Sequence, residues 1–113
     1  MNAQQQIEEL DNNIKELQGM ADLGKALERL RKNRDFRKIV ETEYMREEAV
    51  RLVHLKGNSN VQEPRQQESI NKQIDAIGCF GDFLGMIEQR AEAALEAIDE
   101  CEDARAELEE GAE

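Results

Sequence analysis

The chain has no tryptophan, one tyrosine (Tyr44), three phenylalanines (Phe36, Phe80, Phe83) and a single proline, Pro64. The large side chains that dominate compact cores are therefore nearly missing, so a thick globular core is not expected. No apolar run approaches the roughly 20 residues needed to span a bilayer. The start, Met1 to Gln6, is polar and uncharged, so no signal peptide is expected. One histidine and two cysteines give no spacing that resembles a zinc site. Cys79 and Cys101 are 22 residues apart, which on one helix is about 33 Å, too far to pair within it. Free thiols in a reducing cytoplasm are the expectation. His54 reads as a surface residue near a helix C-terminus. No nucleophile–base pair, phosphate-cradling glycine loop or paired-carboxylate pocket is legible. The expectation is no enzyme activity, no cofactor, no metal and no small-molecule substrate.

What is present is helix-forming: Ala, Glu, Leu, Lys, Arg and Gln, with 36% charged residues over 113 positions. The net charge of −11 is segregated. Residues 1–24 carry −4, residues 25–56 carry +4, residues 57–87 carry −2 and residues 88–113 carry −9. A basic middle between acidic ends suits charge matching between helices. An acidic chain gains little from counterion release, so a general nucleic-acid binder is not expected.

Apolar spacing predicts three helices, at about 4–32, 35–56 and 65–109, with a loop at 57–64, in one helical domain spanning 1–113. Ile7, Leu10, Ile14, Leu17 and Ala21 step by 3 and 4, as a short coiled-coil seam or an ordinary amphipathic helix would. Gly19 and Gly24 predict a bend or short break, beyond which Leu23, Leu27 and Leu30 continue the stripe on a shifted face. Asn33 or Asp35 can cap the second helix. Its expected apolar positions are Phe36, Ile39, Val40, Tyr44, Ala49, Val50 and Val53. Gly57 supplies a stop, and Pro64 suits the entrance to the third helix.

The third helix carries the strongest periodic signal. Ile70, Gln73, Ile77, Phe80, Leu84, Ile87, Ala91, Ala94, Ile98, Cys101, Arg105 and Leu108 alternate steps of 3 and 4 over five heptads. The helix is expected to end near Leu108 and fray beyond. The predicted architecture is all-α: a helical hairpin with a long C-terminal helix, coiled-coil-like, oligomeric or docked on a partner. Stripes this narrow and drawn out usually finish burying themselves against other protein.

Gly78, Gly81 and Gly85 share one helix face, each costing about 1 kcal/mol relative to Ala. They mark either a groove for another backbone or a local kink. With Phe80 and Phe83 alongside, the segment is the leading candidate interface, and Gly81→Leu is expected to block assembly while leaving helicity intact. The candidate interface residues are Ile70, Ile77, Gly78, Phe80, Gly81, Phe83, Leu84, Gly85 and Ile87, with Ile7, Leu10, Ile14 and Leu17 on the first helix.

The basic stretch Lys25, Arg29, Arg31, Lys32, Arg34, Arg37 and Lys38 reads as a solvated face, a partner for an acidic neighbour, or a contact for phosphate. It lacks the interleaved aromatics of a single-strand binder. The acidic tail from Glu88 reads as a solvated face or as a DNA mimic.

Two stretches carry a resemblance. One is Leu27-Glu28-Arg29-Leu30 through Asp35-Phe36-Arg37-Lys38-Ile39-Val40, Tyr44 and Glu47-Glu48-Ala49-Val50-Arg51-Leu52-Val53. The other is Ile70, Gln73-Ile74, Ala76-Ile77-Gly78, Phe83-Leu84 and the Ala/Glu-rich continuation. Over residues 25–102 this apolar pattern resembles the small, acidic, helical proteins of tailed-bacteriophage head and tail modules. The resemblance implies a virion structural or assembly role, in the virion or host cytoplasm. The implied partner is protein, either further copies or a portal, capsid or tail protein. A host-takeover binder, such as an anti-restriction or enzyme-inhibiting protein, is the alternative.

Overall fold

The computed structural model describes residues 2–111, which contain helices and no strand. Helix α1 spans Ala3–Lys32. Its start is fixed by a reciprocal cap: the Gln5 backbone N–H donates to Asn2 Oδ1 at 2.8 Å, and the Asn2 N–H donates to Gln5 Oε1 at 3.1 Å. Two of the donors orphaned at a helix start are satisfied in this way. The break expected at Gly19–Gly24 is absent, and α1 runs straight through it. Of the shifted stripe expected beyond it, only Leu27 turns inward. Ala21 and Leu27 are buried, whereas Leu23 (54% exposed) and Leu30 (44%) point outward.

The interruption comes at Asn33 instead, in extended backbone (φ −71°, ψ 125°). Its side chain accepts from the Phe36 N–H at 3.0 Å and so caps the next helical run. That run begins as α2 (Arg34–Phe36), becomes π-helical over Arg37–Glu48 and returns to α-helix as α3 (Ala49–Lys56). The core positions explain the wider turns. Phe36, Val40, Met45, Ala49 and Leu52 are all buried or half-buried, at steps of 4, 5, 4 and 3. An α-helix, at 3.6 residues per turn, would rotate Phe36 and Val40 away from the face that Met45, Ala49 and Leu52 occupy. The expected apolar face is corrected accordingly. Leu52 is fully buried, while Ile39 (63% exposed), Val50 (50%) and Val53 (60%) face solvent.

Gly57 ends α3 in right-handed backbone (φ −84°), not in the left-handed turn that favours glycine. The loop is held by glutamines. Gln67 Nε2 donates to the carbonyls of Lys56 at 3.0 Å and Val61 at 2.7 Å. Gln62 Nε2 donates to those of Lys56 at 3.1 Å and Asn58 at 2.6 Å. Helix α4 then runs unbroken over Pro64–Gly111, with proline first, where its missing N–H costs nothing. Its 48 residues make it about 72 Å long. It does not fray after Leu108: the helix continues to Gly111, and the remainder of that expectation lies outside the described residues.

The contacts fall into two compact units, residues up to 27 with those from 86 onward, and Glu28–Gly85. Each is an antiparallel helix pair. In the first, Leu17 and Ala21 pack with Ala94 and Ile98, and Asp11 lies 2.8 Å from Arg105. Gly24 meets Ala91 so closely that a Cβ on the glycine would overlap the alanine's own. In the second, Leu52, Ile70 and Ile77 form the core, flanked by Ala49, Leu55, Val61 and Ile74. Tyr44 meets Phe80 edge to face at 6.0 Å.

The α4 seam matches its sequence pattern closely. Ile70, Ile77, Leu84, Ile87, Ala91, Ala94 and Ile98 are buried, and Phe80, Cys101, Arg105 and Leu108 are half-buried. Only Gln73 is exposed, its amide donating to the Ser69 carbonyl at 3.2 Å, with Ile74 turned inward beside it.

Candidate protein-interaction surfaces

The residues proposed from sequence as an interface separate into core and surface. Ile70, Ile77, Leu84 and Ile87 are consumed by the chain's own helix packing. Ile7, Leu10, Ile14 and Leu17 are half-buried on α1. Phe80 and Gly81 are brought together against Tyr44 and Met45. A Cβ on Gly81 would stand 3.2 Å from Met45 Cε. Gly78 and Gly85 face open space, so no backbone of this chain fills a three-glycine groove. Phe83, 52% exposed, is the one large apolar member of the set presented to solvent.

On the middle helix, the π-helical turns over Arg37–Glu48 rephase the chain and hide a further surface from sequence reasoning. In Glu28–Gly85, Ile39, Val50 and Val53 are at least half exposed. Val50 and Val53 are three residues apart, hence neighbours on one face of α3. In the other unit, Met20, Leu23 and Leu95 are exposed at 43%, 54% and 49%. These side chains lie on well-formed helices whose opposite faces already bury a core.

Each unit also has an open groove. Gln6, Glu9, Leu10, Ala104, Glu107 and Leu108 line one of about 450 Å³, with an apolar floor between two carboxylates. Leu55, Val61, Arg65, Gln66, Ser69, Ile70 and Gln73 line another of about 500 Å³ beside the loop. Such floors with polar rims suit contact with another side chain or helix.

Electrostatics is mostly a matter of surface charge. The Arg51 guanidinium hydrogen-bonds Glu48, holding the Glu48 carboxyl below its ordinary range and raising Arg51. Arg51 is exposed and Glu48 half-buried at the helix surface, so the pair adds little to stability. Arg105 is different. It sits half-buried at a seam position between Asp11 and Glu109, at 2.8 and 3.5 Å. A polar residue at such a position favours one helix register over its slipped alternatives. Cys79 is exposed and Cys101 half-buried, both as free thiols. Among the described residues no three His, Cys, Asp or Glu side chains converge on a metal position, and no helix is long and apolar enough to cross a membrane.

No family model, curated protein sequence or solved structure matches the chain.

Proposed function

We propose that the chain is a non-enzymatic structural or assembly protein that packs its helices against other protein. The observation that carries this reading is apolar surface left over after the core is complete. Val50, Val53, Ile39, Phe83 and Leu95 remain about half exposed or more on ordered helices, while the α4 seam behind them is buried. Scattered exposed apolar residues are ordinary, but neighbouring ones on a helix face within a charged surface favour a protein contact. The resemblance over residues 25–102 gives the setting: a component of a tailed-phage particle or its assembly line, docking on copies of itself or on a portal, capsid or tail protein.

Mass spectrometry of purified particles of the encoding virus, paired with affinity capture from infected cells, tests this reading. The expected result is the chain in stoichiometric amount with virion proteins, either in the mature particle or in its precursors. Its absence from both, with a host nuclease or polymerase as the main catch, would replace this reading with host takeover. The exposed carboxylates at Glu92, Glu96, Asp99, Glu100, Glu102 and Asp103 favour that second reading.

A further inference from the structure

Two surface ridges on this chain match each other in length and in having an apolar centre, and they carry charges of opposite sign. One runs from the end of the π-helical segment along α3: Arg46, Val50, Val53 and Lys56, at steps of 4, 3 and 3. The other lies on α4: Glu92, Leu95, Asp99 and Glu102, at steps of 3, 4 and 3. Those steps place each set along one helix face. Each covers eleven residues, whose ten steps rise about 15 Å along the helix.

All eight side chains are exposed. The first ridge has a cation at each end and two valines between, 50% and 60% exposed. The second has carboxylates at both ends around a leucine that is 49% exposed. Among the described residues, Arg46, Lys56, Glu92, Asp99 and Glu102 form no ion pair within their own copy. Neither ridge is spent on the fold that displays it.

We propose that the α3 ridge of one copy docks on the α4 ridge of a second copy. This deepens the assembly reading, on which it rests, by naming the partner and the faces. With the helices antiparallel, Arg46 meets Glu102, Lys56 meets Glu92 and Val53 meets Leu95. The two faces differ, so the contact is heterologous: every copy offers one donor and one acceptor face, and association continues into a ring or an open array. Each contact is small, so a single pair is weak and many copies are needed to hold the array. The charged ends steer the encounter and make it salt-sensitive, because exposed pairs are screened over about 10 Å at 0.1 M salt.

Sedimentation equilibrium of the full chain and two charge-reversal variants tests the pairing. Arg46→Glu/Lys56→Glu makes both ridges acidic, and Glu92→Lys/Glu102→Lys makes both basic. Circular dichroism checks that helicity is retained, as surface substitutions should allow. The expected results are self-association of the native chain that weakens about tenfold or more as salt rises from about 0.05 M to about 0.5 M, loss of association in either variant alone, and recovery when the two are mixed. Self-association unmoved by either reversal would remove this pairing while leaving the assembly reading intact. A native chain that stays monomeric at low salt would count against the pairing, and particle mass spectrometry would then decide the assembly reading on its own.

Discussion

Gly19 and Gly24 are five residues apart in one helix, yet they do opposite things. Both lack a side chain and carry the helix-propensity cost of glycine, about 1 kcal/mol relative to Ala. Nothing lies within 4 Å of where a Cβ on Gly19 would stand. At Gly24 the same atom would overlap Ala91 Cβ, so the cost is offset by close helix approach. Gly19→Ala is therefore expected to stabilise the chain by about 0.5–1 kcal/mol. Gly24→Ala should destabilise it by about 1–3 kcal/mol, since overpacking outweighs the gain in propensity. Urea denaturation of both variants checks this, and equal shifts of one sign would refute the close approach. Gly81 is intermediate. Leucine there would strike Met45 in its own unit before reaching any partner, so Gly81→Leu tests internal packing and not an external groove. The sequence could mark these glycines as costly. It could not say which of them faced another helix, because that depends on the register of the pair.

At the level of elements, α4 was legible because a 3–4 alternation kept for five heptads leaves one face to bury, and Ile70 through Ile98 bury it. Pro64 and the polar run before it located the loop. The buried face of the middle helix differs from the expected one for a specific reason. α-Helical spacing selects Val50 and Val53 beside Val40 and Ala49, whereas the buried or half-buried set Val40, Met45, Ala49 and Leu52 contains a step of five. Removing one residue from that step should let the segment relax to α-helix with the core face unbroken. Deletion of Thr42, an exposed residue between Val40 and Met45, is thus expected to leave the urea midpoint unchanged or raised, with helicity retained by circular dichroism. A loss of more than about 2 kcal/mol, typical of a disrupted core, would show that the π-helical turns serve something other than phase. The Asn2–Gln5 cap is also legible in the sequence, as a polar residue followed three positions later by Gln.

For the molecule as a whole, the slender apolar stripes turned out to be largely covered within the chain, each unit pairing its two helices around a narrow core. What remains for a partner is therefore not the seam but the flanks: the valines of α3, Phe83, Leu95 and the charges around them. Segregated charge, visible from composition alone, acquires faces in the structure, with cations at either end of the α3 valines and carboxylates at either end of Leu95. Under the assembly reading proposed above, these flanks are what a chain with packed helices offers to a partner. The most direct measurement is absolute mass by light scattering, over a wide concentration range, of the chain alone and mixed with the proteins of disassembled particles. The account predicts masses above the 12.9 kDa of one copy, rising with concentration or fixed by a larger partner. A particle of 12.9 kDa at every concentration, eluting free of every virion protein offered to it, would contradict it.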